Sequence, residues 1–315
     1  MTDEQPALGR LACLAGRSWR VDELVGGLTN VNLRVRTTDD PTELGDPLDV
    51  VVRWTRGNAE LLGIDRKAEC DNAGAAYQAG VAGAVLEYRP DLSILVVKYV
   101  IGTGLRDGDF ADPAVLGRSA HAVRLLHQGP RFTGDFDMFA RQAGYLEVVR
   151  ENGMSLPAGY TDHSAAWDDV RRALAAAPRP MVPCNNDLLA ANYIDDPAWE
   201  GGKGKTWLID YEYSGNNDAC FELGNTTTEC NFSEDQIDAW CEAYFGDPTP
   251  ADRARVRVQA LCSQYGWSLW GFIQEAASAI DYDFHSFGLE RYEKAAATFR
   301  GGALPRLLEQ VATGA

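Results

Sequence analysis

Residues 181–210 constrain the fold of this 315-residue chain most, because they read as strand, loop, strand, turn and strand between two long helical regions. Asp187 lies in the first loop, Asn192 follows it by five residues, and Asp210 ends the last strand. Pairing of the last two strands places Asn192 and Asp210 at the same end of a hairpin. We therefore expect two carboxylates and one amide to converge on a single site.

These three side chains are of the types that phosphoryl transfer from ATP requires. The reaction asks for little covalent chemistry from the protein, so catalysis depends on positioning and on neutralising charge around the transferred group. Asp187 is suited to orient an acceptor hydroxyl and receive its proton, while Asn192 and Asp210 offer the oxygen ligands that Mg2+ prefers. Each residue alone favours an ordinary strand-end role, since Asp and Asn are common there. Their joint spacing favours a kinase that uses ATP and Mg2+.

The first hundred residues carry the alternating pattern of strands around one helical segment. Residues 21–35 predict a hairpin that turns at Gly26-Gly27 over a ligand. A run of β-branched residues predicts a third strand at 49–54. Small and apolar residues at helical spacing predict a helix over 64–79. Two more strands are predicted, over 85–88 and 92–100.

From Pro113 onward the periodicity is mostly helical. The predicted helices are 114–126, 138–152, 162–177 and several between 233 and 311. We therefore predict an α+β fold with two lobes. The expected divisions are a nucleotide-binding lobe at 1–98, a hinge at 99–104, and a helical lobe at 105–315 that contains the catalytic loop and the acceptor pocket.

The net charge limits the possible binding partners, and the cysteine content indicates the cellular compartment. The net charge of −17 and the isoelectric point near 4.6 make nucleic-acid binding a poor hypothesis and favour a small cationic substrate. The seven cysteines are scattered without a C-x-x-C pair, which favours reduced thiols in a cytoplasmic protein. No signal peptide or membrane-spanning segment is recognisable, so no membrane partner is expected.

Four motifs together resemble one known family. They are Gly26-Gly27-Leu28-Thr29-Asn30, the loop Cys184 to Asn192, Ile209-Asp210-Tyr211-Glu212-Tyr213 and Phe221-Glu222-Leu223-Gly224-Asn225. The chain is similar to the choline/ethanolamine kinases, a branch of the aminoglycoside-phosphotransferase-like group with a protein-kinase-like fold. The resemblance runs from about Gly26 to Arg291.

The resemblance implies a role for each matching residue. It makes Asp187 the catalytic base and Asn192 and Asp210 the Mg2+ ligands. Arg53 would hold the ATP phosphates, which its planar guanidinium suits, and Glu69 would pair with Arg53. The remaining implied nucleotide-binding residues are Gly27, Thr29 and Asn30 in the glycine hairpin, and Tyr99 and Val100 in the hinge.

Aromatic residues near the carboxyl end predict the acceptor pocket. Trp267 and Trp270 lie three residues apart on a predicted helix over 265–279, and 280–287 adds more rings. Such rings are also typical of a helical core. A quaternary ammonium donates no hydrogen bond and is held best by ring faces. By the resemblance, the pocket contains Tyr213, Glu229, Trp267, Trp270, Tyr282 and Phe287.

Three positions depart from the family pattern. Asn185 replaces a His that is regarded as orienting the catalytic loop, so it either substitutes by hydrogen bonding or marks a slow or inactive member. Glu222 replaces an Asp that bonds to backbone, and Phe287 replaces a Tyr. The sequence therefore predicts a kinase that transfers the γ-phosphate of ATP to the hydroxyl of choline or a related amino alcohol. It leaves open another acceptor, such as ethanolamine, an aminoglycoside or a sugar, and a choline binder without catalysis.

Overall fold

The computed structural model describes residues 5–24, 30–38, 46–55 and 61–314. Five antiparallel strands form an amino-terminal sheet in the order β1-β2-β3-β5-β4. They are β1 Trp19–Leu24, β2 Asn30–Thr37, β3 Asp49–Thr55, β4 Val85–Arg89 and β5 Ile94–Lys98. The predicted sheet is confirmed, although its Gly26-Gly27 turn lies outside the described residues.

The two faces of this sheet have different surroundings. Successive side chains of a strand point to opposite faces, so one face packs against a hydrophobic core and the other does not. Val50 and Val52 of β3 are buried in a core that Leu8 and Leu11 of the amino-terminal segment also enter. Leu8 belongs to a short helix, α1 Gln5–Leu8. Arg53 projects from the opposite face of β3. Strand alternation thus delivers one arginine to the side of the sheet that faces the rest of the protein.

Helix α2, Arg66–Gln78, lies beside that arginine. It begins after Asp65, whose side chain caps the helix by accepting hydrogen bonds from the backbone of Lys67 and Ala68. The prediction of a helix over 64–79 is confirmed with a start two residues later. Glu69 is only 3% exposed and lies on the buried face of the helix. The carboxylate of Glu69 therefore faces the sheet, where it lies 3.1 Å from Arg53 of β3.

The remainder of the described chain is mainly helical, as predicted. Its helices are α3 Pro113–His127, α4 Met138–Glu151, α5 Ser164–Ala176, α6 Trp199–Gly202, α7 Ala219–Glu229, α8 Glu234–Phe245, α9 Pro250–Ala277, α10 Phe284–Arg300 and α11 Leu304–Thr313. The 28-residue α9 is the central helix and packs against α4, α7, α10 and α11. The helix predicted from residue 265 therefore begins 15 residues earlier, at a Thr249 cap followed by a proline.

Helices α9 and α10 approach closely at two glycines. A Cβ atom added to Gly271 would lie 2.6 Å from the Cα of Gly288, so neither position accommodates a side chain. This crossing brings the Trp270 ring to 5.2 Å from the ring of Phe287, measured between centroids. The two small residues thus assemble one wall of the aromatic cluster predicted at 267–287.

Two small sheets flank the predicted catalytic loop, which runs from Cys184 to Asn192. Strands β8 Tyr193–Asp196 and β9 Lys205–Leu208 pair as predicted, and β6 Thr103–Gly104 extends that sheet. Strand β7 Met181–Cys184 pairs with β10 Gly215–Asp218. The sequence did not predict β6 or β10, because a two-residue strand and a Gly-Asn-Asn-Asp segment carry no strand pattern.

All seven cysteines fall within the described ranges and are free thiols. Five of them are buried, while Cys13 and Cys70 are partly exposed. Among the helices described, none has both the length and the apolar character needed to cross a bilayer. The boundaries proposed at 98 and 104 stay predictions, although β5 ends at Lys98.

Candidate active site

Glu222 anchors the start of the catalytic loop. Its two carboxylate oxygens accept hydrogen bonds from the backbone N–H groups of Asn185, at 2.8 Å, and Asn186, at 2.6 Å. Burial raises the pKa of Glu222 to about 7, and the two hydrogen bonds oppose that shift. The longer side chain that departs from the family pattern therefore still bonds to the loop backbone.

Asn185 ties the catalytic loop to the segment that carries Asp210. Its side-chain amide donates to the carbonyl oxygens of Asp210, at 2.7 Å, and Ile209, at 3.1 Å. Its side-chain oxygen accepts from the backbone N–H of Asp187, at 3.1 Å. Asp210 also has a positive φ of 66°, which is uncommon outside glycine. Asn185 thus makes the hydrogen bonds expected of a residue that orients the loop.

The hairpin of β8 and β9 places Asn192 beside Asp210, as predicted. Tyr193 pairs with Leu208, and the backbone N–H of Ile209 donates to the carbonyl oxygen of Asn192 at 3.0 Å. The Asn192 side-chain amide donates to the carbonyl oxygen of Asp187 at 2.8 Å. No residue in the described ranges donates to its side-chain oxygen. Asn192 therefore presents a neutral oxygen beside the Asp210 carboxylate, a pair that fits a hard cation such as Mg2+.

The Asp187 carboxylate is half-buried and accepts no hydrogen bond from the described part of the chain. Burial and the nearby carboxylates of Glu229, Asp210 and Glu212 raise the pKa of Asp187 well above its usual range, while Arg291 opposes the shift. A cation bound nearby would favour its ionised form. The ionised form is the one that could accept a proton.

Arg53 pairs with both Glu69 and Asp210. One guanidinium nitrogen lies 3.1 Å from Glu69, which is the pair that the sequence predicted. The other nitrogen donates to Asp210 at 2.7 Å, a contact that the sequence did not predict. Burial together with Glu212 and Glu69 raises the pKa of Asp210 to about 6, although Arg53 opposes the change. Arg53 thus lies between the helix carboxylate and the candidate metal ligand.

Sequence reasoning missed two members of this network. Glu212 Oε2 accepts from Arg53 at 2.9 Å, from Arg66 at 3.1 Å and from Asn30 at 3.0 Å. Arg66 also donates to Glu69 at 2.7 Å. The signals were present, because Arg66 precedes Glu69 by one helical turn and Glu212 lies two residues after Asp210.

A cavity of about 450 Å3 lies between the amino-terminal sheet and the hairpin of β8 and β9. Four of the predicted nucleotide-binding residues line it, namely Arg53, Glu69, Tyr99 and Val100. Asn30 contacts the network through Glu212 rather than lining this cavity. Gly27 and Thr29 lie outside the described residues. The cavity is lined mainly by apolar residues together with a few charged side chains, as is typical of a nucleotide site.

A second cavity, of about 930 Å3, adjoins the first. Asp187 and all six predicted acceptor-pocket residues line it: Tyr213, Glu229, Trp267, Trp270, Tyr282 and Phe287. Asn192 and Asp210 line both cavities. Of the three residues that the sequence grouped for phosphoryl transfer, Asn192 and Asp210 therefore lie where the two cavities meet, and Asp187 lies next to them in the second cavity.

The rings of the second cavity are held in fixed positions. The Trp270 indole N–H donates to the Tyr213 hydroxyl at 2.8 Å, and the Tyr213 ring lies 4.8 Å from the Trp267 ring. Both indoles are buried, while Tyr282 is 46% exposed. The tryptophans thus belong to the hydrophobic core and also line the cavity.

No protein-family model matches the chain. Human ethanolamine kinase 2 is 33% identical over 304 residues, which cover 87% of this chain and 75% of the human protein. The rat protein of the same name is 30% identical over 306 residues, with the same coverage. A crystal structure of a choline/ethanolamine kinase family protein from Mesorhizobium loti has 32% identity and a TM-score of 0.82, covering 99% of both chains. The chain belongs to the choline/ethanolamine kinase family.

The protein is therefore an ATP-dependent phosphotransferase that acts on an alcohol group. The GDP complex of aminoglycoside 2'-phosphotransferase-IIIa has 15% identity and a TM-score of 0.65, so it shares the fold. The predicted family and the two-lobed kinase-like architecture are confirmed. Nucleotide binding follows from family membership.

One further residue of this kinase escaped the sequence-based prediction of its site. Arg291 of α10 lines the second cavity and forms a two-pronged ion pair with Glu229, with its Nε 3.0 Å from Glu229 Oε1. The Arg291 guanidinium carbon also lies 3.3 Å from the centroid of the Phe287 ring. Glu229 and Phe287, both predicted to contact the acceptor, are thus already engaged by one arginine.

Proposed function

We propose that this kinase transfers the γ-phosphate of Mg-ATP to the hydroxyl of choline. The observation that carries the proposal is the second cavity, which aromatic rings and Asp187 line together and in which the carboxylate of Glu229 is paired with Arg291. A trimethylammonium group needs ring faces and no hydrogen-bond acceptor. A primary ammonium needs acceptors as much as rings.

In this proposal, separate residues near the junction of the cavities accept the proton, bind the metal ion and bind the phosphates. Asp187 orients the acceptor hydroxyl and takes its proton. Asn192 and Asp210 hold Mg2+, which when bound neutralises charge on the transferred phosphoryl group. Arg53, kept in place by Glu69, binds the ATP phosphates. The family motif assigns Gly27, Thr29 and Asn30 to nucleotide binding, and the backbone at Tyr99 and Val100 contacts the adenine.

The charge of the second cavity supports a cationic acceptor. Seven carboxylates and two arginines line it. Four of these acids are already in ion pairs. Glu229 pairs with Arg291, Glu290 pairs with Lys294 at 2.8 Å, and Asp210 and Glu212 both pair with Arg53. An aminoglycoside with several ammonium groups would need more free acids than this arrangement leaves. A small acceptor with a single positive charge fits better.

Ethanolamine is the second candidate, because the human and rat relatives both carry the name ethanolamine kinase 2. Its smaller head group would leave part of the aromatic wall uncovered. Its ammonium would also need to displace Arg291 from Glu229 or hydrogen-bond elsewhere.

An assay of the purified protein with Mg-ATP tests the proposal. Choline, ethanolamine, kanamycin and glucose are compared by ADP release, and the phosphorylated product is identified by 31P NMR. We expect kcat/KM for choline to exceed that for ethanolamine by about tenfold or more, since each ring contributes roughly 0.5–2 kcal/mol. Equal or better turnover of ethanolamine would reject choline, and binding of choline without turnover would indicate a catalytically silent binder.

A pair of tryptophan variants separates the pocket from general stability. Trp270→Leu removes a wall of the second cavity and should raise KM for choline by about tenfold. Trp207→Leu alters an indole on β9 that does not line this cavity, so KM should stay near the wild-type value. An equal effect of both substitutions would remove the support for an aromatic acceptor pocket.

A further inference from the structure

Arg291 is placed to influence the acceptor without taking part in phosphoryl transfer. It lies on α10, one turn after Phe287, and its side chain lines the second cavity. Its Nη1 donates to the Phe287 carbonyl oxygen at 3.1 Å, and its other nitrogens bind both oxygens of Glu229. The Arg291 side chain is 14% exposed and that of Glu229 is 5% exposed. The pair is therefore a nearly buried, geometrically fixed unit.

The Arg291–Glu229 ion pair lowers the negative charge and the number of free hydrogen-bond acceptors on the cavity wall. A free Glu229 would provide a full negative charge and hydrogen-bond acceptors to an ammonium N–H. Bound in two places by Arg291, it carries little net charge and its oxygens are engaged. Arg291 also lies over one face of the Phe287 ring and excludes a ligand cation from that face.

We propose that Arg291 determines acceptor specificity by sequestering Glu229, so that an ammonium bearing N–H donors is disfavoured relative to a quaternary one. The inference rests on the proposed function in taking the second cavity as the acceptor site. Discrimination arises because a donor that enters the cavity loses its water and finds the acidic partner already occupied. Removal of the guanidinium frees Glu229 for such a donor.

The test measures binding of choline and of ethanolamine by calorimetry, without nucleotide, to the full-length protein and its variants. The quantity compared is the ratio of the ethanolamine Kd to the choline Kd. We expect this ratio to fall about tenfold in Arg291→Met, which keeps an apolar contact with Phe287 and releases Glu229. In the double variant Arg291→Met/Glu229→Gln the ratio should return to within about twofold of the wild-type value, because no carboxylate is released.

Two controls keep the test decisive. Arg300→Met removes an exposed arginine of the same helix that does not line the cavity, and should leave the ratio unchanged. Arg291→Lys retains a counter-charge for Glu229 but loses the planar two-pronged geometry, so the ratio should fall by about two- to threefold. This variant decides the outcome if Arg291→Met does not fold, because an unpaired buried carboxylate is destabilising.

An unchanged ratio in folded Arg291→Met, or in Arg291→Lys where the first variant is unfolded, would overturn the proposal. An equal fall in the double variant would also overturn it, because the effect would then not pass through Glu229. Failure of the choline assignment looks different. In that case the wild-type protein itself binds ethanolamine as well as choline, whatever the variants do to the ratio.

Discussion

The side-chain amide of Asn185 donates a 2.7 Å hydrogen bond to the backbone carbonyl oxygen of Asp210. The same side chain accepts a hydrogen bond from the backbone N–H of Asp187. One residue therefore sets the distance between the proposed base and the proposed metal ligand. Its difference from the family's His is compatible with an ordered active site, because an amide offers both a donor and an acceptor.

Replacement of Asn185 by Ala should lower kcat by about 10- to 100-fold, because small displacements of reacting groups cost rates of that size. KM for the acceptor should change little, since Asn185 does not line the second cavity. Steady-state kinetics with saturating Mg-ATP measure both values. Asn152→Ala, at an exposed helix end, serves as the control. Wild-type kcat in Asn185→Ala would show that the link has no catalytic importance.

Replacement of Arg53 by Lys should weaken binding of Mg-ADP by about tenfold. Lysine keeps the positive charge but cannot bind phosphate and Glu69 with two fixed nitrogens. Calorimetric titration of the purified variant gives the Kd. Arg20→Lys, at an exposed position of β1, is the matched control. An unchanged Kd in Arg53→Lys would argue against phosphate binding by this residue.

Asp187 should make the stability of the ligand-free enzyme depend on pH. Its folded-state pKa lies above the ordinary value of 3.8, so the folded protein binds the proton more tightly than the unfolded chain does. The free energy of unfolding therefore falls as pH rises above about 4, relative to a variant without this carboxylate. Asp187→Asn should match the wild type in stability at low pH and be the more stable protein at pH 8.

Urea unfolding curves of both proteins at a series of pH values, without nucleotide or acceptor, provide the comparison. Asp235→Asn, an exposed carboxylate in the first turn of α8, should show no such pH-dependent difference. Equal stability of Asp187→Asn and the wild type at every pH would contradict the raised pKa of this half-buried carboxylate.

The sequence was informative wherever a pattern repeats locally. Alternating residues located the strands of the amino-terminal sheet, and apolar spacing located the long helices. The hairpin after Asp187 could be paired from its turn alone, which brought Asn192 and Asp210 together correctly. Family motifs then identified the residues that line both cavities.

Contacts between distant segments escaped prediction, because nothing local encodes them. Arg291 and Glu229 are separated by 62 residues and lie on α10 and α7, two helices that both pack against α9. Strand β10 consists of four buried polar or small residues and forms only by pairing with β7. Such features depend on tertiary packing, which overrides local propensity.

The most direct test of the account is the activity of Asp187→Asn with Mg-ATP and choline. We expect kcat to fall by about 10^3-fold or more, because a general base typically contributes 10^2–10^4-fold, while circular dichroism and ADP binding match those of the wild type. Asp235→Asn should retain full activity. Turnover near the wild-type rate in folded Asp187→Asn would contradict the claim that this carboxylate, next to the junction of the two cavities, accepts the proton of the acceptor hydroxyl.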